Sequence, residues 1–148
     1  MIPQVYADTG LLCSLYAQDE KSAEAILLIR KVQPPLPFTW LHQVEFRNAL
    51  RLRVFRKQLT QEERSSILQG FFEDFASGVF VQKNPSPPEL LLEAERLGAS
   101  YTETLGCRSL DLMHVAMALV LGANVFAGFD QRQNQLAHAA GLTVLDQA

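Results

Sequence analysis

Four acidic residues in this chain stand where a strand pattern gives way to a helix or where a helix begins. Asp8 and Asp130 each follow a short apolar run, whereas Glu45 and Asp111 lie in the first turns of helical patterns. Each has an ordinary structural explanation, since an acid at a helix start accepts bonds from free backbone N–H groups and opposes the helix dipole. Taken singly, none of them predicts a function.

Taken together, the four acids predict a metal site. Helices that follow the strands of a parallel sheet begin at the same edge of that sheet, so we expect the four carboxylates to converge there. Two like charges ~4 Å apart repel by ~4 kcal/mol at an effective dielectric constant of about 20, and a divalent cation would remove that cost. Ligation by carboxylate oxygens alone favours Mg²⁺ or Mn²⁺ over zinc.

The elements needed to position these acids follow from the alternation of short apolar runs with helical patterns. The predicted strands are 5–7, 38–40, 79–81, 124–129 and 142–145. The predicted helices are 11–16, 20–32, 41–59, 61–76, 89–97, 110–121 and 131–140. This order predicts an α/β fold with a mainly parallel central sheet, flanked by helices on both faces.

Capping residues mark several of the helix starts. Thr60 and Glu63 have the spacing of a capping box, and Ser86 precedes a proline at the first helical position. We expect Thr9 to cap the first helix and Ser109 to cap the helix that contains Asp111.

The helical pattern 41–59 is apolar on more than one side. Such a helix is buried from more than one direction, which predicts core contacts on one side and a homodimer interface on another. Arg47 and Arg51 lie four residues apart on this helix, and Arg108 and Arg132 flank two of the proposed ligands. Guanidinium groups suit phosphate contacts, but basic residues on a helix can equally form a solvated face.

Composition indicates one domain, 1–148, without a strong overall field. The 148 residues are 48% hydrophobic, and the formal net charge is −3, so nucleic-acid binding would need a local basic face or metal ions. Two cysteines without metal-ligand spacing fit a reduced cytoplasm. Residues 1–4 do not resemble a signal peptide, and the apolar stretch 110–129 is interrupted by polar residues, so we expect no membrane span.

The four acids lie within longer motifs. These are Val5-Tyr6-Ala7-Asp8-Thr9, Val44-Glu45-Phe46-x-x-Ala49-Leu50, Leu110-Asp111-x-x-His114-x-Ala116-x-Ala118 and Phe129-Asp130. In order and spacing they resemble the motifs of PIN-domain ribonucleases, especially the VapC-type toxins of toxin–antitoxin pairs. The resemblance implies a three-layer α/β/α fold, RNA cleavage dependent on Mg²⁺ or Mn²⁺, an antitoxin partner, and Asp8, Glu45, Asp111 and Asp130 as metal-binding carboxylates.

The chain departs from this family pattern in two places. Gly10 stands where many relatives have Ser or Asn, and the residues after Asp130 are neutral at positions where some relatives have a further acid: Gln131, Gln133 and Asn134. The number of metal ions bound without RNA therefore stays open.

Hydrolysis of a phosphodiester needs a nucleophile and neutralisation of the charge that builds on the phosphoryl oxygens. We assign Asp8 and Asp111 as the principal metal ligands. Glu45 and Asp130 would bind through water, complete a second site or act as general base. Thr9 orients a water or the phosphate, unless its role is only to cap, and His114 is interpreted as a hydrogen-bonded core histidine.

Two other functions compete with this hypothesis. The first is a PIN-like scaffold that binds RNA or a protein without cleaving. The second is a phosphatase with an aspartyl nucleophile, but that chemistry typically uses a second Asp soon after the first and a Lys that holds the phosphoryl group. Here Thr9-Gly10-Leu11 follows Asp8.

Overall fold

Five short strands and eight α-helices make up the fold of residues 4–147, the part of the chain that the computed structural model describes. The strands are β1 (Val5–Ala7), β2 (Leu36–Phe38), β3 (Phe80–Gln82), β4 (Val125–Ala127) and β5 (Thr143–Leu145). The helices are α1 (Thr9–Tyr16), α2 (Ser22–Ile29), α3 (Trp40–Phe55), α4 (Gln61–Ala76), α5 (Pro87–Leu97), α6 (Glu103–Leu105), α7 (Ser109–Val120) and α8 (Gln131–Ala139). A turn of π-helix, Gly98–Thr102, joins α5 to α6. Residues 1–3, where a signal peptide would begin, lie outside the described residues.

Every strand pair recorded in the described residues is parallel. One sheet has the order β1–β4–β5, and β2 pairs with β3 in a second sheet that packs beside β1. In the register of β1 and β4, Tyr6 lies opposite Phe126 and Ala7 lies opposite Ala127. The prediction of a mainly parallel sheet is confirmed, although its hydrogen bonding is divided into three strands and two.

Helices cover both faces of these strands. Side chains alternate between the two faces of a strand, and Tyr6 and Phe126 accordingly pack in one apolar cluster while Ala7 and Ala127 pack in the other. The first cluster contains residues of α5, α7 and α8, and the second contains residues of α1, α3 and α4. The result is the predicted three-layer α/β/α arrangement.

Two predicted helix caps are wrong. The N-cap of α1 is Asp8, whose backbone is still extended (φ −73°, ψ 167°) and whose Oδ1 accepts a hydrogen bond from the Leu11 N–H at 2.8 Å. Thr9 is already helical. Likewise the N-cap of α7 is Arg108, and Ser109 is the first helical residue. The caps predicted at Thr60 and Ser86 are confirmed.

The boundaries of β2 and α3 differ from the prediction in a related way. The strand ends at Phe38, because Thr39 caps α3 and exchanges hydrogen bonds with His42 three residues on. At its other end α3 stops at Phe55, four residues before the predicted end. Lys57 has φ +61°, and a residue in this left-handed region terminates a helix.

Cys13 and Cys107 are buried free thiols. Within residues 4–147, no helix is both long enough and apolar enough to span a membrane.

Candidate active site

The four predicted carboxylates line one open cavity of about 560 Å³ at the carboxyl ends of β1 and β4. Its walls come from the starts of four helices, α1, α3, α7 and α8, so the edge of the parallel sheet determines where the acids meet. The other residues that line it are Thr9, Gly10, Ser14, Lys21, Arg108, Ser109, Leu110, His114, Phe129 and Gln133.

Three of the acids each use one carboxylate oxygen to accept a backbone hydrogen bond at the N-terminus of a helix. Besides Asp8 Oδ1 on the N–H of Leu11, Asp111 Oδ2 accepts from the Arg108 N–H at 3.2 Å, and Asp130 Oδ1 accepts from the Gln133 N–H at 3.0 Å. The capping interpretation of these residues is therefore correct. It does not exclude the functional one, because the second oxygen of each accepts no hydrogen bond from the described residues.

Glu45 is positioned by side chains instead. Its Oε1 accepts a hydrogen bond from the Thr9 hydroxyl at 2.8 Å and forms a second one with His114 Nε2. Burial would raise the pKa of Glu45, but the hydrogen bonds from His114 and Thr9 and the adjacent imidazole outweigh it and lower the pKa. The carboxylate is held in its charged form beside the cavity.

Asp8 is in the opposite electrostatic situation. Its side chain is only 4% exposed, and burial raises its pKa from 3.8 to about 6. The hydrogen bond from Leu11 and the neighbouring imidazole of His114 oppose that rise in pKa, whereas the neighbouring charges of Asp130 and Glu45 add to it. A buried carboxylate surrounded by other carboxylates lacks positive charge, which is the deficit that a bound cation would correct.

One basic side chain partly offsets this deficit. The Arg108 guanidinium is 3.5 Å from Asp111 Oδ2 and 3.7 Å from Asp130 Oδ2. It is 70% exposed, so both ion pairs are long and largely solvated and contribute little to stability.

The oxygen donors of these side chains suit a hard divalent cation, but the distances between the side chains do not yet form an ion site. The donors are carboxylate oxygens, the ligands that Mg²⁺ and Mn²⁺ prefer. Within the described part of the chain, however, no three His, Cys, Asp or Glu side chains already stand close enough together to hold an ion. Binding would therefore require carboxylates to rotate toward one another.

Gly128 is a site residue that the sequence interpretation missed. A Cβ at this position would lie 2.6 Å from Asp8 Cγ, closer than packed atoms approach. Only glycine lets the chain just after β4 pass this close to the carboxylate. A glycine at the end of a strand pattern, two residues before an acid, was the available signal.

One further residue of the cavity wall was also missed. Lys21 lies in the turn before α2, and its Nζ is 5.4 Å from the centre of the Phe129 ring. No local pattern connects Lys21 to the acids, because the turn reaches them only through the tertiary fold.

The predicted phosphate-contacting arginines are divided by the structure. Arg108 lines the acidic cavity, and Arg132 lines an adjoining outer groove together with Arg108 and Asp130. Arg47 lies elsewhere, with its guanidinium 5.4 Å from the centre of the Phe72 ring beside a separate aromatic cavity. Arg51 is exposed and lines neither the acidic cavity nor the outer groove.

Solved structures provide the comparison with known proteins. The fold is similar to VapC20 from Mycobacterium tuberculosis, described as a sarcin-ricin loop cleaving toxin (TM-score 0.65, 16% identity, 94% of this chain and 96% of that one). It is also similar to FitAcB from Neisseria gonorrhoeae (0.65, 15%, 96% and 96%) and to PAE2754 from Pyrobaculum aerophilum (0.58, 16%, 96% and 83%). No protein-family model matches the sequence, and no curated protein does.

These similarities extend over nearly the whole chain. At 15–16% identity they concern the fold. They confirm the α/β/α architecture and the similarity of the fold to that of VapC20.

Proposed function

We propose that this chain, whose fold is similar to that of the toxin VapC20, is a metal-dependent endoribonuclease that acts as a toxin. The observation that carries the proposal is the convergence of Asp8, Glu45, Asp111 and Asp130 from four helix starts on one cavity. Oxygen-only donors with too little positive charge nearby suit Mg²⁺ or Mn²⁺. The neighbour described as a cleaving toxin supports the same function.

Each acid has a proposed role. Asp8 and Asp111 are the principal ligands, since both are buried at the cavity and each keeps one oxygen that no protein group occupies. Glu45 and Asp130, which are more exposed, bind through water, complete a second site or accept the proton of the attacking water. A cation held there would supply Lewis acidity to the hydrolysis of the phosphodiester.

The RNA backbone would follow the cavity outward past its basic residues. The outer groove continues from the acidic cavity through the shared residues Arg108 and Asp130 and also contains Arg132. Arg108 and Arg132 can therefore contact phosphates next to the scissile one, and Thr9 positions a water or the phosphate.

A toxin that cleaves RNA must be inhibited in the cell that produces it. We propose an antitoxin protein that covers the acidic cavity, which is open to solvent in the isolated chain. We also assign the protein to the cytoplasm, where its two buried thiols would stay reduced.

The test is RNA cleavage by the purified chain with Mg²⁺ or Mn²⁺. Asp8→Asn should reduce cleavage by more than about 100-fold, the upper end of what is lost when a residue behind a metal ligand is replaced. EDTA should have the same effect. Glu63→Gln, an equivalent acid-to-amide change in the exposed cap of α4, is the matched control and should cleave like wild type. Cleavage that persists in Asp8→Asn or in EDTA would refute the proposal.

Two observations favour the second candidate, a PIN-like scaffold without catalysis. The carboxylates of the described chain are not yet arranged around one point, and the residues after Asp130 are neutral. A ligand that binds the folded state stabilises it by RT ln(1 + [L]/Kd). An endonuclease should therefore unfold at higher temperature in millimolar Mn²⁺, whereas a scaffold should show no shift.

A further inference from the structure

A buried hydrogen-bonded chain runs from the core of the sheet to the edge of the acidic cavity. The hydroxyl of Tyr6, in β1, is 2.7 Å from Nδ1 of His114, in α7. His114 Nε2 is hydrogen-bonded to Glu45 and lies 3.3 Å from the Thr9 hydroxyl oxygen. Tyr6 is 0% exposed and His114 is 3% exposed, so water does not compete for these bonds.

The direction of these bonds follows from the number of protons. The Thr9 hydroxyl has one proton and donates it to Glu45 Oε1. Toward His114, Thr9 can therefore only accept, and the ionised carboxylate of Glu45 can also only accept. The proton between His114 and these two oxygens must then belong to Nε2, in the neutral as well as the charged imidazole.

Tyr6 sets the other side of the ring. When the imidazole is neutral and Nε2 is protonated, Nδ1 is an acceptor and takes the hydroxyl proton of Tyr6. That bond fixes both the tautomer and the orientation of the ring.

We propose that His114, oriented by Tyr6, is a positioning residue for Glu45. His114 and Thr9 each donate a hydrogen bond to Oε1 of Glu45. The other oxygen, Oε2, accepts no hydrogen bond from any residue between 4 and 147. Glu45 thereby presents a fixed, unoccupied oxygen to an ion or to its coordinated water. This inference rests on the proposed function, because it assigns a role behind the same metal site.

A second buried histidine provides an internal comparison. His42 is 0% exposed, and its ring centre is 4.8 Å from that of Tyr6 and 5.3 Å from that of His114. Its Nε2 is bonded to the Ala7 carbonyl and its Nδ1 to Thr39. Neither bond reaches a carboxylate of the cavity, so His42 has only a structural role.

The experiment measures Mn²⁺ affinity of the full chain by electron paramagnetic resonance, alongside kcat and KM for RNA cleavage. His114→Leu should weaken Mn²⁺ binding by about 10- to 100-fold, the usual effect of removing a partner behind a metal ligand. It should lower kcat with little change in KM. His114→Gln should recover most of the affinity, because its side-chain amide can donate to Glu45 in place of Nε2–H.

Tyr6→Phe and His42→Gln complete the series. Tyr6→Phe keeps the ring packing and loses only the hydroxyl, and it should weaken Mn²⁺ binding less than His114→Leu does. His42→Gln should lower the unfolding temperature without changing Mn²⁺ affinity.

The outcomes separate this inference from the proposed function. If wild type binds no Mn²⁺, the proposed function fails. If wild type binds Mn²⁺ and His114→Leu binds it equally well, the positioning role is refuted. Should His114→Leu fail to fold, Tyr6→Phe decides, and unchanged Mn²⁺ affinity in that variant would refute the role.

Discussion

At the scale of single residues, the acids of this chain have two roles at once. Asp8, Asp111 and Asp130 each use one oxygen at a helix N-terminus and keep the other at the cavity. The structural interaction orients the carboxylate and leaves its other oxygen free of hydrogen bonds from the described residues. Each of these residues can therefore cap a helix and bind a ligand at the same time.

The raised pKa of Asp8 leads to a prediction about stability. A carboxyl group whose pKa is higher in the folded state than in the unfolded chain stabilises the fold while protonated, and that stability is lost as the pH rises. For Asp8 the loss falls between about pH 4 and about pH 6. The charge should cost about 3 kcal/mol at pH 7 in the absence of metal.

Asp8→Asn should remove this cost and keep the cap, because an asparagine oxygen can also accept from the Leu11 N–H. Urea unfolding in EDTA should show the variant to be more stable than wild type at pH 7, with the difference disappearing near pH 4. A variant that is less stable than wild type at both pH values would contradict the assignment. The same experiment shows whether lost cleavage reflects lost folding.

At the scale of elements, the site depends on how closely β4 passes β1. The N–H of Asp8 donates to the Ala127 carbonyl at 2.9 Å, and Gly128 follows at the position where a side chain would meet the carboxylate. The strand pair and the start of α1 thus define the same point. Helix α1 positions the acid, and the parallel ladder brings the next acid, Asp130, to the same cavity.

Gly128→Ala should therefore displace Asp8 without abolishing the fold. Overpacking of this kind costs about 1–3 kcal/mol, and Mn²⁺ affinity and RNA cleavage should both fall. Gly10→Ala is the matched control, because its Cβ would lie 3.6 Å from Asp8 Oδ1, an ordinary contact. We expect wild-type Mn²⁺ affinity in that variant, measured by the same titration; equal affinity in both variants would show that the close approach is not needed.

At the scale of the whole molecule, one face of α3 remains uncovered. Val44 is 61% exposed, Leu52 41% and Phe55 83%. Helical spacing places Val44 and Phe55 on the same side, with Leu52 next to them. The homodimer interface predicted for this helix would bury that face.

Light scattering after size exclusion tests the dimer. Wild type should have twice the 16.5 kDa mass of the chain, and Phe55→Glu should shift it to the monomer mass, because a buried unpaired charge opposes association. Leu92→Glu, at a leucine on α5 that is 75% exposed, is the control and should leave the mass unchanged. A monomeric wild type would end the dimer hypothesis.

Local patterns accounted for most of the elements. The alternation of apolar runs with helical patterns predicted the parallel α/β architecture, and the capping box at Thr60 and the serine cap at Ser86 marked two helix starts. The two wrong helix caps each arose because two neighbouring residues could occupy the N-cap position. Asp8 and Thr9 are neighbours at the start of α1, and Arg108 and Ser109 are neighbours at the start of α7. Only the backbone angles of the folded chain decide which residue of each pair is the N-cap.

The sequence by itself determined which chemistry was available, since the four carboxylates and their order along the chain are properties of the sequence. The tertiary structure decided how those groups are supported. Tyr6 and His114 are 108 positions apart and became partners only because β1 and α7 pack together. Gly128, Lys21 and His114 entered the site through contacts between residues distant in the chain, and such contacts leave no periodic signal in the sequence.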